Sequence, residues 1–161
     1  MTVFKGKAAP LRRILLAIDE SAVSIKAVAF VLAKLQPAGS TGELGRVPVH
    51  VIVLHVLAPR RLAPIMIRST VPWIKSEQKM KDAARRLVEQ SAQPLSKAGF
   101  RAEPVCKMGN PAEEIMKMAS KRRVDLIVMG AKGLGTIDRI LLGSVSTRVM
   151  QYANCPVLVV R

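Results

Sequence analysis

Apolar positions in this chain gather into short, dense runs, and between the runs they recur at three- and four-residue spacing. The first run, Arg12 to Ile18 (RRILLAI), is basic at its start and then continuously apolar. That pattern predicts a strand buried on both faces. Asp19-Glu20-Ser21 follows and offers a helix cap at Asp19 or Ser21. Ala22, Ile25, Ala29 and Leu32 then repeat at helical spacing, with Val28 and Leu35 beside them. They predict an amphipathic helix ending near Gln36-Pro37. Residues 37–46 are rich in turn formers and predict a flexible loop, an insertion rather than a domain boundary.

Val47 to Val56 is strongly β-branched and predicts a second strand, with Pro48 at its start. Leu57 to Pro72 holds several prolines and arginines and reads as a loop. Ser69 or Thr70 can cap a long helix from about Trp73 to about Lys97. Pro94 should kink that helix or end it early, and Gly99 is a stop signal. Phe100 to Lys107 alternates weakly, and Pro104 makes it an edge strand. After the turn at Met108-Gly109, Asn110-Pro111-Ala112-Glu113 supplies a cap, a proline at the first helical position and a glutamate for a capping box. Lys121-Arg122-Arg123 suits the negative end of that helix. Val124 to Met129, running into Gly130, predicts a fourth strand. Ser144 to about Tyr152 predicts a helix, and Cys155 to Val160 a fifth strand.

Strands alternating with helices imply right-handed crossovers and an open parallel sheet covered on both faces. Ligands of such sheets sit outside the carboxyl ends of the strands, where the strand order reverses. The segments after the first, second and fourth strands are therefore the candidates. The fourth is followed by Gly130-Ala131-Lys132-Gly133-Leu134-Gly135-Thr136, and later by Gly143-Ser144-Val145-Ser146. Glycine lets a backbone approach a phosphate closely. Gly143-Ser144 opens a helix, whose unpaired N–H groups and dipole favour an anion. Ser144 and Ser146 add hydroxyls, and Lys132 and Arg139 add charge. Turn-shaping alone would also account for these glycines. The chain has no GxxxxGK[ST] loop and no glycine in its first strand-to-helix turn, so it departs from both common phosphate motifs.

Gly130, Gly133 and Gly143-Ser144 together spell G-2x-G-9x-G-[ST]. With VDLIVMGAKG, RILLGSVS and CPVLVV around it, and ILLAIDES and VHVIVLHV earlier, the chain resembles the ATP-binding branch of the universal stress proteins along essentially its whole length. The resemblance implies a single Rossmann-like domain over residues 1–161, with five parallel strands in the order 3-2-1-4-5. It implies ATP, with Mg²⁺, as the ligand. Ala17 and Val56 would line the adenine pocket, and Asp19 would meet the ribose or adenine end or assist a metal. Met129, Gly130 and Gly133 would follow the ribose and phosphates. Gly143, Ser144, Val145 and Ser146 would hold the phosphates with backbone and hydroxyl groups. A homodimer joined through the C-terminal strand is also implied.

Composition narrows the alternatives. Of 161 residues, 50% are hydrophobic but only 3% aromatic, so the core is aliphatic. No apolar run approaches the ~20 residues of a membrane span. The N-terminus lacks the apolar stretch of a secretory signal, so the expected compartment is the cytoplasm. The formal net charge of +15 favours anionic partners. A nucleic-acid role is one alternative, although few aromatic residues interleave with the charge. A true ATPase or nucleotide-dependent transferase using Asp19 and a metal is another. Asp19 can equally be a helix cap. His50 and His55, five apart on a strand, face opposite sides and read as structural. Trp73 reads as a packing residue. Cys106 and Cys155 read as buried, reduced small hydrophobes. No catalytic triad or carboxylate pair stands out, so an enzyme is not expected beyond slow hydrolysis.

Overall fold

The computed structural model describes residues 11–35, 48–58, 71–131 and 142–161, with backbone alone for 71–76. Strands and helices alternate: β1 (Arg13–Ile18), α1 (Ala22–Lys34), β2 (His50–Leu57), α2 (Val71–Lys97), β3 (Arg101–Met108), α3 (Pro111–Arg122), β4 (Leu126–Gly130), α4 (Ser144–Tyr152) and β5 (Val157–Val160). The strands form one parallel sheet in the order β3-β2-β1-β4-β5. The chain grows from β1 towards β3, then returns to the other side of β1, so the order reverses between β1 and β4.

β1 is apolar on both faces because both are covered. Ile14, Leu16 and Ile18 point into a layer with Ala27 and Val31 of α1 and Val88, Ala92 and Leu95 of α2. Leu15 and Ala17 point the other way, into a layer with Ala112, Ile115 and Ala119 of α3 and Val149 of α4. The two-residue period of the strand sorts alternate side chains between these layers.

Local chemistry sets the element ends. Ser21, not Asp19, is the cap of α1 and accepts a hydrogen bond from the Ser24 N–H. α1 closes at Lys34, just short of the expected end, with the Leu35 N–H bonded to Val31 O. Asn110 caps α3 by accepting from the Glu113 N–H at 3.3 Å, while the Glu113 carboxylate meets Arg148. At the far end Arg123 adopts a left-handed φ of 50°, and Val124 N–H bonds to Ala119 O at 3.0 Å. Val124 thus closes the helix, and β4 begins later than its apolar run suggests.

α2 runs through Pro94 to Lys97, the end the sequence predicts, rather than stopping early at the proline. The proline removes one N–H near the end of the helix, while Leu95 beside it is fully buried and the Ala98 N–H bonds to Pro94 O. Packing outweighs the missing bond. Cys106 is exposed rather than buried, and Cys155 is intermediate. Cys106 lies on β3, the edge strand that Pro104 predicts, where cover is thinnest. The 37–46 loop lies outside the described residues.

Candidate functional site

The carboxyl ends of β1, β2 and β4 meet at the reversal point. Ala17 stands opposite Leu54 on one side and Met129 on the other. Ala17 and Met129 are both buried in the layer facing α3 and α4, and Val56 at the end of β2 packs against that layer. These residues therefore share one face of the sheet, as a common pocket wall would require.

Asp19 leaves β1 and is half-buried. Its Oδ1 accepts from the Ser21 N–H at 3.0 Å, from the Ser21 hydroxyl, and from the Ser24 hydroxyl at 2.6 Å. The Asp19 N–H in turn donates to Ser24 Oγ at 2.8 Å. Among the described residues no hydrogen bond reaches Oδ2. One oxygen is thus committed to the turn, while the other, without a described partner, has the chemistry to meet a hydroxyl or a cation.

The α4 end is built around Ala131. Its N–H donates to Val160 O at 2.7 Å, and its carbonyl accepts from the Gly143 N–H at 2.8 Å. The Ser146 hydroxyl reaches the same carbonyl at 2.8 Å and Gly143 O at 2.9 Å. The two ends of the long β4–α4 connection are therefore pinned together. Gly143 is the cap of α4 and supplies no side-chain hydrogen bond, whereas Ser21 and Asn110 both cap their helices with an oxygen. Among the described residues no side chain caps the first N–H groups of α4, and Ser144 beside them is exposed. Such a helix start suits an anion.

The sequence-predicted residues fare differently. Ala17, Asp19, Met129, Gly130, Gly143, Ser144 and Val145 lie at strand ends or at the α4 start, and Val56 lies at the end of β2. Ser146 is buried, and its hydroxyl is spent on the Ala131 and Gly143 carbonyls. Gly130 pairs with Val160, and a Cβ there would lie 3.1 Å from Val23 Cγ1. Its lack of a side chain lets β4 approach α1, on the face away from Ala17 and Met129. Gly133, Lys132 and Arg139 lie outside the described residues.

Two partners escaped the sequence reading. Ser24 is buried one turn into α1 and holds both ends of Asp19. The spacing D-x-S-x-x-S was its only signal. His55 is buried, with Nδ1 2.9 Å from Ile18 O, the carbonyl just before Asp19. A carbonyl only accepts, so Nδ1 carries the proton. His50 sits at the other end of β2, with Nε2 2.9 Å from Glu103 Oε2. The described residues contain no cluster of three or more metal-ligating side chains. No described helix is long and apolar enough to cross a membrane.

Known proteins share this architecture. The Universal stress protein family (Usp) model matches residues 10–161. Universal stress protein YxiE of Bacillus subtilis is 35% identical over 153 residues, covering 92% of this chain and 98% of its own length. The solved structure of MJ0577, from Methanocaldococcus jannaschii, superposes with a TM-score of 0.76 at 31% identity, covering 94% of this chain and 96% of that one. An Arabidopsis thaliana family member, solved with AMP bound, shares the fold at a TM-score of 0.60 and 20% identity, covering 92% of this chain and 90% of its own. With the family model spanning nearly every residue and the sheet order in agreement, the chain belongs to the universal stress protein family.

Proposed function

We propose that this chain is an adenine-nucleotide-binding module that takes ATP with Mg²⁺, and that nucleotide occupancy regulates its conformation or partner choice in a stress response. The observation that carries this reading is the open start of α4 beside the carboxyl ends of β1 and β4. A glycine cap, an exposed Ser144 and N–H groups that no described side chain caps offer phosphate a preorganised cradle. Ala17, Val56 and Met129 would form the apolar wall for the base, and Asp19 Oδ2 would meet the ribose or adenine end or help hold the metal. Ser146 would act by fixing Gly143 in place. The AMP bound to the Arabidopsis family member supports an adenine nucleotide as the ligand class.

Mg²⁺ fits the same residues. It is commonly held by one or two carboxylates together with substrate phosphates, so Asp19 Oδ2 beside bound phosphates would suffice. The ion would neutralise phosphate charge. Regulation rather than rapid turnover is favoured by Asp19 Oδ1, whose three donors suit a positioning role better than proton abstraction. Among the described strands β5 stands at the edge of the sheet beside β4, and Val157 to Val160 are each half-buried, which suits a homodimer paired along that edge. The cytoplasm is the proposed compartment.

Thermal unfolding with a nucleotide panel tests the proposal. ATP should raise the midpoint more with Mg²⁺ than without it, and GTP should raise it less. Absence of a shift with any adenine nucleotide contradicts the reading. Phosphate release well above background and abolished by Asp19→Asn would replace it with the enzyme alternative.

A further inference from the structure

The opposite end of the sheet carries a second concentration of chemistry. Arg13, His50 and Arg101 each open a strand and stand in one row, since Arg13 pairs with His50 and His50 with Arg101. Residues in register share a face, so two arginines flank His50 there, and like charges gathered on one face oppose one another unless something answers them. Lys121, Arg122 and Arg123 stand over this row at the end of α3. Arg13, His50, Ile52, Lys121, Arg122 and Arg123 together line a cleft of about 440 Å³.

The protein answers only part of this charge. Glu103 contacts both Arg122 and His50. Asp125 Oδ2 accepts the backbone N–H groups of Arg12 and Arg13, each at 2.8 Å, rather than facing a cationic side chain. Arg13 Nη1 donates to Arg122 O at 2.8 Å. Among the described residues Arg101, Lys121 and Arg123 have no ion pair, and the buried Nε2 of His50 lies near Glu103 without an aligned hydrogen bond. The negative end of α3 explains Lys121 and Arg122. It does not explain Arg13, His50 and Arg101 on three successive strands.

We propose that this cleft is a second anion site, for a compact multivalent phosphate of about pyrophosphate size. Guanidinium forks match phosphate oxygens in pairs, and a multivalent anion would answer the cations that Glu103 does not. Among the described residues no Phe, Tyr or Trp side chain lines the cleft, which favours a compact free phosphate over a strand held by stacked bases. β1 spans six residues, so the site lies about 17 Å from the Asp19 end at the ~3.3 Å rise of a parallel strand. The proposal is independent of nucleotide binding.

Pyrophosphate titrated into the ¹⁵N-labelled full chain tests it. The amides of Arg13, His50, Arg101 and residues 121–123 should shift together. Calorimetry on the Lys121→Gln/Arg123→Gly double variant should show affinity reduced ~10-fold or more. Glycine suits the left-handed φ at 123, and Lys121 is exposed, so the variant should fold, which circular dichroism verifies. Shifts confined to Gly143–Val145, unchanged affinity in the double variant, or an equal response to chloride at matched ionic strength would each overturn the proposal. So would duplex DNA that perturbs these amides where pyrophosphate does not.

Discussion

Asp19 and Ser24 hold each other at both ends: the serine hydroxyl donates to Asp19 Oδ1 at 2.6 Å and accepts from the Asp19 N–H at 2.8 Å. The strand-to-helix turn is therefore locked by a residue inside the helix, and no hydrogen bond from the described residues reaches Oδ2. His55 adds a second brace through the Ile18 carbonyl. A carboxylate oxygen fixed this way is preorganised for a ligand, because its ordering cost is met in folding rather than in binding.

Two Asp19 variants separate turn from ligand. Asp19→Asn retains an acceptor for Ser21 and Ser24 and should cost no more than about 1 kcal/mol in stability, while ATP affinity falls ~10-fold. Asp19→Ala removes the acceptor as well and should cost about 1–3 kcal/mol. Urea unfolding and calorimetry on both variants provide the comparison. Equal affinity in wild type and Asp19→Asn would remove Asp19 from the binding site.

Gly130 predicts a packing effect. A Cβ placed there meets Val23 at 3.1 and 3.2 Å. Gly130→Ala should destabilise by about 1–3 kcal/mol, and Val23→Ala should recover part of that loss. A double-mutant cycle measures the coupling. A neutral Gly130→Ala would show that α1 yields at this contact.

The thiols give a pH prediction. Partial burial pushes Cys106 and Cys155 above the ordinary thiol range. For Cys106, Arg85 pulls the other way and Glu89 adds to the rise. Thiolate is then scarcer at neutral pH than in free cysteine, so alkylation by iodoacetamide should be slower and should climb at more alkaline pH. Arg85→Gln should slow Cys106 further. The linkage has the same sign. Because the folded thiols hold their protons more tightly than unfolded ones, the associated stability is present below the unfolded thiol value and is lost as pH rises through the folded one.

Much of the fold was legible because its signals are local and agree with one another. The continuous apolar run of β1, the Asn110-Pro111 start of α3 and the Pro104 edge strand each gave their element before packing was known. The strand order came from the family resemblance, since hydrophobic runs do not say which strands are neighbours. The Lys97 end of α2 was legible although Pro94 offered an earlier stop, because a buried Leu95 keeps the helix going past a missing hydrogen bond. Cys106 misled because a small apolar residue on an edge strand is not covered as one on a central strand is. The candidate site residues stand at strand ends and a helix start, positions a sequence can indicate, but the partners that hold them are not local. His55 meets Ile18 across a strand pair separated by 37 positions, and no local pattern encodes that distance. The basic row of Arg13, His50 and Arg101 appears only once register is fixed.

The most direct test of the central claim is ATP binding by calorimetry, with Mg²⁺, to wild type and to Ser144→Glu. Ser144 is exposed at the first position of α4, where a carboxylate favours the helix dipole, so the variant should be at least as stable as wild type. The same carboxylate would repel phosphate from the helix start. ATP should bind the wild type, and affinity should fall ~10-fold or more in the variant at unchanged or higher thermal stability. Equal ATP affinity in the two proteins, or no binding to either, would contradict the central claim.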